Sequence, residues 1–368
     1  MPNQKIIHLI AAARPNFMKI APLYHALKKE DGIDAQIVHT GQHYDLNMSD
    51  AFFRDLGLPE PHLNLGVGSG THAEQTGRVM IAYEKALIAD QPDLVVVVGD
   101  VNSTLAVTLT AAKLGIKVAH LEAGLRSFDR SMPEEINRVV TDNLADLLWT
   151  PSHDADENLL REGIPADKIE RVGNIMIDSL EMLRPHIEKE VLYRELGLKS
   201  GEYGLVTLHR PANVESHTIL GELCRSLAGI SRKIPLVFPV HPRTRKKLKS
   251  FGFLSVLMSA SSLILLEPLS YIPFMNLVFH CGLVITDSGG LQEETTYLKI
   301  PCLTIRPNTE RPITVQLGTN RLCQPKEMEA HVDSILLPRG KKGQIPDLWD
   351  GQTAARVAQS IKRVFSDS

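Results

Sequence analysis

Residues 94–99 read LVVVVG, an unbroken apolar run that ends in glycine. A strand with one face in water alternates apolar and polar side chains. One that is apolar throughout needs cover on both faces. A parallel sheet sandwiched between helices meets that need, and each parallel neighbour must then return through a crossover, usually helical.

The chain supplies that alternation. In the first half, strands are expected at Lys5–Ala12, Ala35–Thr40, Leu94–Gly99, Lys117–Leu121 and Leu147–Thr150. Helices are expected between them at Phe17–Lys29, Met48–Leu56, His72–Ala89, Ser103–Leu114 and Pro133–Ala145. The second half repeats the plan, with strands at Gly204–Leu208, Leu236–Val240, Leu263–Leu266, Leu283–Thr286 and Cys302–Ile305. Its helices are expected at Ile219–Ser231, Tyr271–Phe279 and Leu291–Tyr297. Residues 173–201 have helical patterning but no strand, which puts the domain junction there. The pattern specifies an α/β chain of two Rossmann-like doubly wound domains facing a central cleft, with ligands outside the carboxyl ends of the strands. A last helix, Gln352–Ser366, carries Ala354, Val357, Ala358, Ile361, Val364 and Phe365 on one stripe and needs an apolar surface to cover.

Bulk properties exclude several functions. A net charge of −3 gives no electrostatic ground for nucleic-acid binding, so an anionic ligand must be held by local features. No apolar run reaches the ~18 residues that would suggest a membrane span. The N-terminus, MPNQKIIHLIAAARPNF, lacks the apolar core and cleavage site of a secretory signal. Cys224, Cys281, Cys302 and Cys323 form no CxxC pair and read as reduced packing thiols of a cytoplasmic protein. There is no HExxH, and His39 with His43 has helix spacing in a strand-to-loop stretch. GxSxG is absent, and GVGSGTHAEQTG (66–77) does not follow a strand as a dinucleotide fingerprint must. Neither a metal nor a cofactor is expected.

The strand ends carry the chemistry. In LVITDSGGLQEE (283–294), a buried strand runs into Asp287-Ser288-Gly289-Gly290 and then a helix start. Glycine lets backbone approach a ligand, and a helix N-terminus offers unpaired N–H groups with partial positive charge. Together they make a phosphate site, although a plain turn capped by Ser288 or Asp287 is the alternative. Glu293 and Glu294, a turn further on, could reach past a phosphate to a ribose, or could serve only as acids near a helix N-terminus. Asp100 ends the LVVVVG strand, as a candidate carboxylate or as an N-cap. Glu122 ends the next strand, and Glu134 and Glu135 open a helix behind Pro133. Carboxylates of different environment at one site are a means of acid–base work. Basic groups come from Arg14 and Lys19 after the first strand, and from His209, Arg210 and His241 after strands of the second half.

ARPNFMKIAPL, VVGDVNST, HLEAGLRS, PEEINR, VTLHR, PVHPR, ITDSGGLQEE and TERP occur in that order. The set closely resembles the non-hydrolysing UDP-N-acetylglucosamine 2-epimerases, from about residue 5 to residue 322. The resemblance implies GT-B-type architecture. Its first domain spans residues 1–172 plus 353–368, with the last helix crossing back, and its second, UDP-binding domain spans 173–352. By motif, Ser288, Gly289 and Gly290 would hold the diphosphate, Glu294 the ribose, and Phe274 would pack on uracil. His209, Arg14 and Lys19 would surround the phosphates or sugar, with Arg210, His241 and Arg311 completing the substrate contacts. Asp100, Glu122 and Glu134 would be the acid–base carboxylates.

The implied reaction is reversible C2 epimerisation of a UDP-sugar, through loss of UDP to 2-acetamidoglucal and re-addition. A homodimer is implied as well. Many members read TRPEAIK where this chain has ARPNFMK, so the acid is replaced by Asn16. Lys19 favours the non-hydrolysing branch. An activator subsite in such enzymes uses a stretch that reads TGQHYDLN here, with Gln42 and His43 fitting but the remainder altered. The alternatives are a hydrolysing epimerase, an epimerase of a diacetamido uronic acid sugar, a GT-B glycosyltransferase and a non-catalytic nucleotide-sugar sensor.

Overall fold

The computed structural model describes residues 4–41, 53, 55–337 and 343–366. The chain divides into two compact units, residues 1–182 with 347–368 and residues 183–346. The family resemblance implies changeovers at 172/173 and 352/353; the units change over at 182/183 and 346/347. The first of these lies inside one helix, Ile175–Lys189, whose continuous apolar pattern marks no break.

In the first unit the strands are β1 (Lys5–Ala11), β2 (Ile33–His39), β3 (Leu63–Asn64), β4 (Leu94–Val98), β5 (Val118–Leu121), β6 (Leu147–Thr150) and β7 (Ile169–Arg171). They form one sheet in the order β3-β2-β1-β4-β5-β6-β7, every pair parallel. All of β4 is buried, as its two-faced apolar run requires. The chain winds outward from β1 through β2 and β3, then returns to β4 and winds the other way. That reversal opens a crevice between the carboxyl ends of β1 and β4.

The second unit holds β8 (Gly204–Thr207), β9 (Leu236–Pro239), β10 (Leu263–Leu266), β11 (Leu283–Thr286), β12 (Cys302–Thr304) and β13 (Asn320–Leu322). The order is β10-β9-β8-β11-β12-β13, again all parallel, with the reversal between β8 and β11.

The last helix, Thr353–Ser366, belongs to the first unit. Asp178 accepts from its first two N–H groups, at 3.1 and 2.7 Å, and Trp149 Nε1 donates to Ser360 Oγ at 3.0 Å. Val357, Ala358 and Ile361 are buried there. Strands β3, β7 and β13 have two or three residues each, too short to leave a period in the sequence. The helix expected at Met48–Leu56 lies outside the described residues except for Phe53, Asp55 and Leu56. All four cysteines are buried and free. Among the described residues no helix is long and apolar enough to cross a membrane.

Candidate active site

In the first unit Lys19, Glu122 and the turn at Gly99 meet at the β1/β4 reversal. The helix Arg14–Leu27 follows β1 and has Pro15 in its first turn, where the missing N–H costs nothing. Asn16 fixes this start by accepting from Ala13 N at 3.0 Å and donating to Val98 O at 2.9 Å. One turn on, Lys19 is buried and forms an ion pair with Glu122 Oε2. Glu122 follows β5 with φ of 75°, a left-handed conformation that costs a non-glycine residue about 1–3 kcal/mol. Its N–H and that of Ala123 both donate to Trp149 O at 3.1 Å, which holds it there. The other carboxylate oxygen, Oε1, is buried without a hydrogen-bond partner among the described residues. Gly99 is required twice over: its φ is 70°, and a Cβ would stand 3.3 Å from Lys19 Nζ and 3.5 Å from Glu122 Oε2.

Asp100 does not cap the following helix, whose N-cap is Val101. Its carboxylate instead pairs with Arg138, and its main-chain oxygen accepts from Asn137 Nδ2 at 2.8 Å. The PEEINR motif thereby separates into parts. Glu135 is buried; it accepts from the N–H groups of Ser127 (3.0 Å) and Phe128 (2.8 Å) and pairs with Arg138 at 2.6 Å. Burial pushes its pKa up, but these donors outweigh it and hold the carboxyl below its ordinary value. Glu135 thus organises the turn and the arginine, while Glu134 is exposed in the first turn of the same helix. Arg14 is half-buried, and its pKa is lowered by burial against the opposing charge of Asp55.

In the second unit the centre is Asp287, fully buried at the end of β11. It accepts from His209 N (3.0 Å), Arg210 N (2.9 Å) and Asn213 Nδ2 (3.1 Å), and pairs with His209 Nδ1 at 2.8 Å. Burial works against its charge, yet His209 and these donors keep the carboxyl below its ordinary range. With Nδ1 committed to Asp287, the half-exposed His209 ring offers Nε2 to a ligand. His241 lies with its ring centroid 5.8 Å from that of His209 and caps the helix Pro242–Ser250, its Nδ1 accepting from Arg243 N at 3.2 Å. Burial, His209 and Arg243 lower its pKa.

The helix Gly289–Leu298 starts directly after Ser288, whose side chain makes no cap. The two glycines have different causes. A Cβ on Gly289 would stand 2.6 Å from Glu310 Oε1 and 2.9 Å from Arg311 Nη1, whereas one on Gly290 would meet nothing within 4 Å among the described residues. Gly289 serves packing, and Gly290 leaves main chain bare. Glu293 is buried beside Arg311 Nε at 2.8 Å, and Arg311 Nη1 meets Glu310 at 2.5 Å. Arg311 is therefore held between two carboxylates beneath the turn. Glu294 is buried and accepts from Tyr271 OH at 2.7 Å; burial raises its pKa to about 7, against the hydrogen bond from Tyr271 and with the charge of Glu293. Phe274 is half-buried on the helix Tyr271–His280.

Sequence reasoning did not find the roles of Asp287, Asn137 and Arg138. Asp287 was visible as a strand-end acid, but nothing local tied it to His209. Away from both reversals, Cys323, Glu327 and His331 bring possible metal-ligating atoms within 4.8 Å of one another. All three already have protein partners: Cys323 Sγ donates to Gln324 O, Glu327 accepts from Gln324 N, and His331 Nδ1 faces Arg321 Nη1 at 3.0 Å.

The family model for UDP-N-acetylglucosamine 2-epimerase matches residues 25–362. This chain belongs to that family. The UDP-N-acetylglucosamine 2-epimerase of Methanocaldococcus jannaschii is 42% identical over 362 residues, covering 96% of this chain and 98% of the relative. A crystal structure of the M. jannaschii enzyme in complex with UDP-GlcNAc and UDP matches with a TM-score of 0.88, at 42% identity over 97% of this chain and 99% of that one. The UDP-2,3-diacetamido-2,3-dideoxy-D-glucuronate 2-epimerase of Pseudomonas aeruginosa is 37% identical over 368 residues, 98% of this chain and 100% of the relative. These two relatives thus share a UDP-sugar and a 2-epimerisation and differ in the sugar's substituents.

Proposed function

We propose that the chain catalyses reversible epimerisation at C2 of UDP-N-acetylglucosamine, giving UDP-N-acetylmannosamine. The observation that carries this assignment is the buried Lys19–Glu122 pair with a bare carboxylate oxygen, packed on the Gly99 turn that leads into Asp100, in a chain 42% identical to an enzyme of that name. The second unit takes UDP: Ser288, Gly289 and Gly290 receive the diphosphate, Glu294 the ribose and Phe274 the uracil. His209, steadied by Asp287, meets the phosphates or sugar, together with Arg14, Arg210 and His241; Arg311 acts on the turn from below.

The C2 hydrogen is not next to a carbonyl, so its direct removal is unfavourable. The C1–O bond breaks first, with UDP taking the electron pair, and C1 becomes oxocarbenium-like. That makes the C2 hydrogen acidic. A carboxylate takes it as a proton and 2-acetamidoglucal is left beside UDP. Re-addition of UDP at C1, with a proton delivered to the other face of C2, gives the epimer. Asp100 and Glu134 handle the proton, and Glu122, locked on Lys19, supports them. Helix-terminus stabilisation of roughly 0.3–2 kcal/mol per charge cannot by itself expel a diphosphate. A positioned acid or base adds about 10²–10⁴-fold. Retention of glycal and UDP together makes re-addition effectively unimolecular, worth up to ~7–11 kcal/mol.

Incubation with UDP-N-acetylglucosamine in deuterated water tests the assignment by NMR. Deuterium at C2 of both UDP-sugars is the expected result. Release of free N-acetylmannosamine would make the enzyme hydrolytic, and an unlabelled product would end the elimination route. A second reading, a diacetamido uronate substrate, is favoured by the Pseudomonas relative, and the same assay with that UDP-sugar separates the two. The proposed activator residues Gln42 and His43 lie outside the described residues. A homodimer completes the proposal, checked by light scattering.

A further inference from the structure

His120 lies on β5, wholly buried, two residues before Glu122. Its ring joins two groups. Nδ1 is 2.6 Å from Asp142 Oδ1, and Nε2 is 2.9 Å from the main-chain oxygen of Gly99. A carbonyl oxygen can only accept, so Nε2 carries a hydrogen. Asp142 is itself anchored: it accepts from Arg126 Nη1 at 2.7 Å and from Gly124 N at 3.1 Å, and its carboxyl is kept below its ordinary range by His120 and Arg126 in spite of burial. The ring is therefore a strut running from a fixed carboxylate to the Gly99 carbonyl.

That carbonyl belongs to the peptide linking Gly99 to Asp100, at the turn where the chain leaves β4 with φ of 70°. The following carbonyl, that of Asp100, is held by Asn137 at 2.8 Å, and the Asp100 carboxylate by Arg138. A left-handed glycine has several accessible conformations, and nothing in its own side chain selects one. Selection must come from outside, and His120 supplies it from the core side.

We propose that His120 is a positioning residue of the reaction: acting through the Gly99–Asp100 peptide, it sets where the Asp100 carboxylate stands relative to the sugar. This rests on the epimerase reading above. His120 touches no substrate, so its loss should leave nucleotide binding intact and slow the chemical step.

Two substitutions separate this role from plain core packing. The amide nitrogen of glutamine reaches the place of histidine Nε2, and that of asparagine the place of Nδ1. His120→Gln can keep the bond to Gly99 O and lose the one to Asp142; His120→Asn does the reverse. Each is measured for kcat, KM, UDP affinity and thermal midpoint. A misplacement of about 1 Å lowers rate about 10²-fold, so His120→Asn should lose about that in kcat with UDP affinity unchanged, while His120→Gln stays within about tenfold of wild type. Equal losses in kcat for the two variants, or a His120→Asn enzyme with wild-type kcat, would overturn the role. Should His120→Asn fail to fold, His120→Leu, which makes neither bond, takes its place: a kcat about 10²-fold below that of His120→Gln with UDP affinity unchanged supports the proposal, and equal kcat in the two refutes it. A wild-type protein without C2 exchange would sink the epimerase reading and this proposal with it. An active wild type with an unimpaired His120→Asn sinks only the latter.

Discussion

Replacing Gly290 by alanine should stabilise the protein and weaken UDP binding at once. Among the described residues the new Cβ meets nothing within 4 Å, and φ at this glycine is not positive, so the native fold accepts the methyl without strain. The unfolded chain loses freedom, which stabilises the protein by about 0.4–1 kcal/mol. For a unit of this size that is a rise of about 1–4 °C in Tm. If the diphosphate rests on this stretch of main chain, the methyl occupies the approach and a charge-assisted hydrogen bond worth about 1.5–3 kcal/mol is lost. The Kd for UDP then rises about 10- to 100-fold. Gly289→Ala is the control with the opposite stability sign, because its Cβ collides with the Glu310–Arg311 pair at 2.6 and 2.9 Å. Overpacking of that kind costs about 1–3 kcal/mol, so its Tm should fall. Scanning calorimetry and titration calorimetry with UDP read both quantities. A Gly290→Ala protein with raised Tm and wild-type UDP affinity would refute the phosphate turn, since the bare backbone would then have no ligand.

Three further substitutions test other groups. Glu294 has a folded pKa of about 7 against an ordinary 4.5, so the native state holds the proton more tightly and stability falls as pH rises through that window. The loss is about 3 kcal/mol; Glu294→Gln should flatten the drop in urea stability between pH 5 and pH 8 and also weaken UDP binding, and an unchanged drop counts against the buried-acid explanation. Lys19→Met strands the Glu122 carboxylate and should cost about 3–5 kcal/mol, most of it restored by adding Glu122→Gln; equal stability of single and double variants would disprove the coupling. His209→Asn should slow C2 exchange and loosen UDP, because asparagine can keep the bond that Nδ1 makes to Asp287 but has nothing at the place of Nε2, the nitrogen offered to the ligand; wild-type kinetics would take His209 out of the site.

Much of the architecture was legible because its causes are local. The two-faced apolar run of β4 demands a parallel sheet, and the helices between strands show their own period. The carboxyl ends of those strands then flag Asp100, Glu122, His209 and Asp287 by position. The shortest strands escaped notice because a period needs several residues to register. The pairings escaped for another reason. Lys19 and Glu122 are 103 residues apart in the chain, and His209 and Asp287 are 78 apart. The Asp100 side chain was read as either catalyst or cap, and its partner Arg138 stood 38 residues away in a different motif. Glu134 and Glu135 are neighbours with identical chemistry, and only the turn at Ser127–Phe128 distinguishes them.

The sequence alone determined the type of each unit and the pool of polar residues at strand ends, because burial pattern and chain direction are properties of short segments. Tertiary structure decided which of those polar groups cancel one another and which stay available. Glu135, Glu293 and Arg311 are taken up by partners, whereas among the described residues Glu122 Oε1, Nε2 of His209 and the backbone at Gly290 are left open. That division depends on distances of a few ångströms between groups far apart in the chain, and no local pattern encodes such distances.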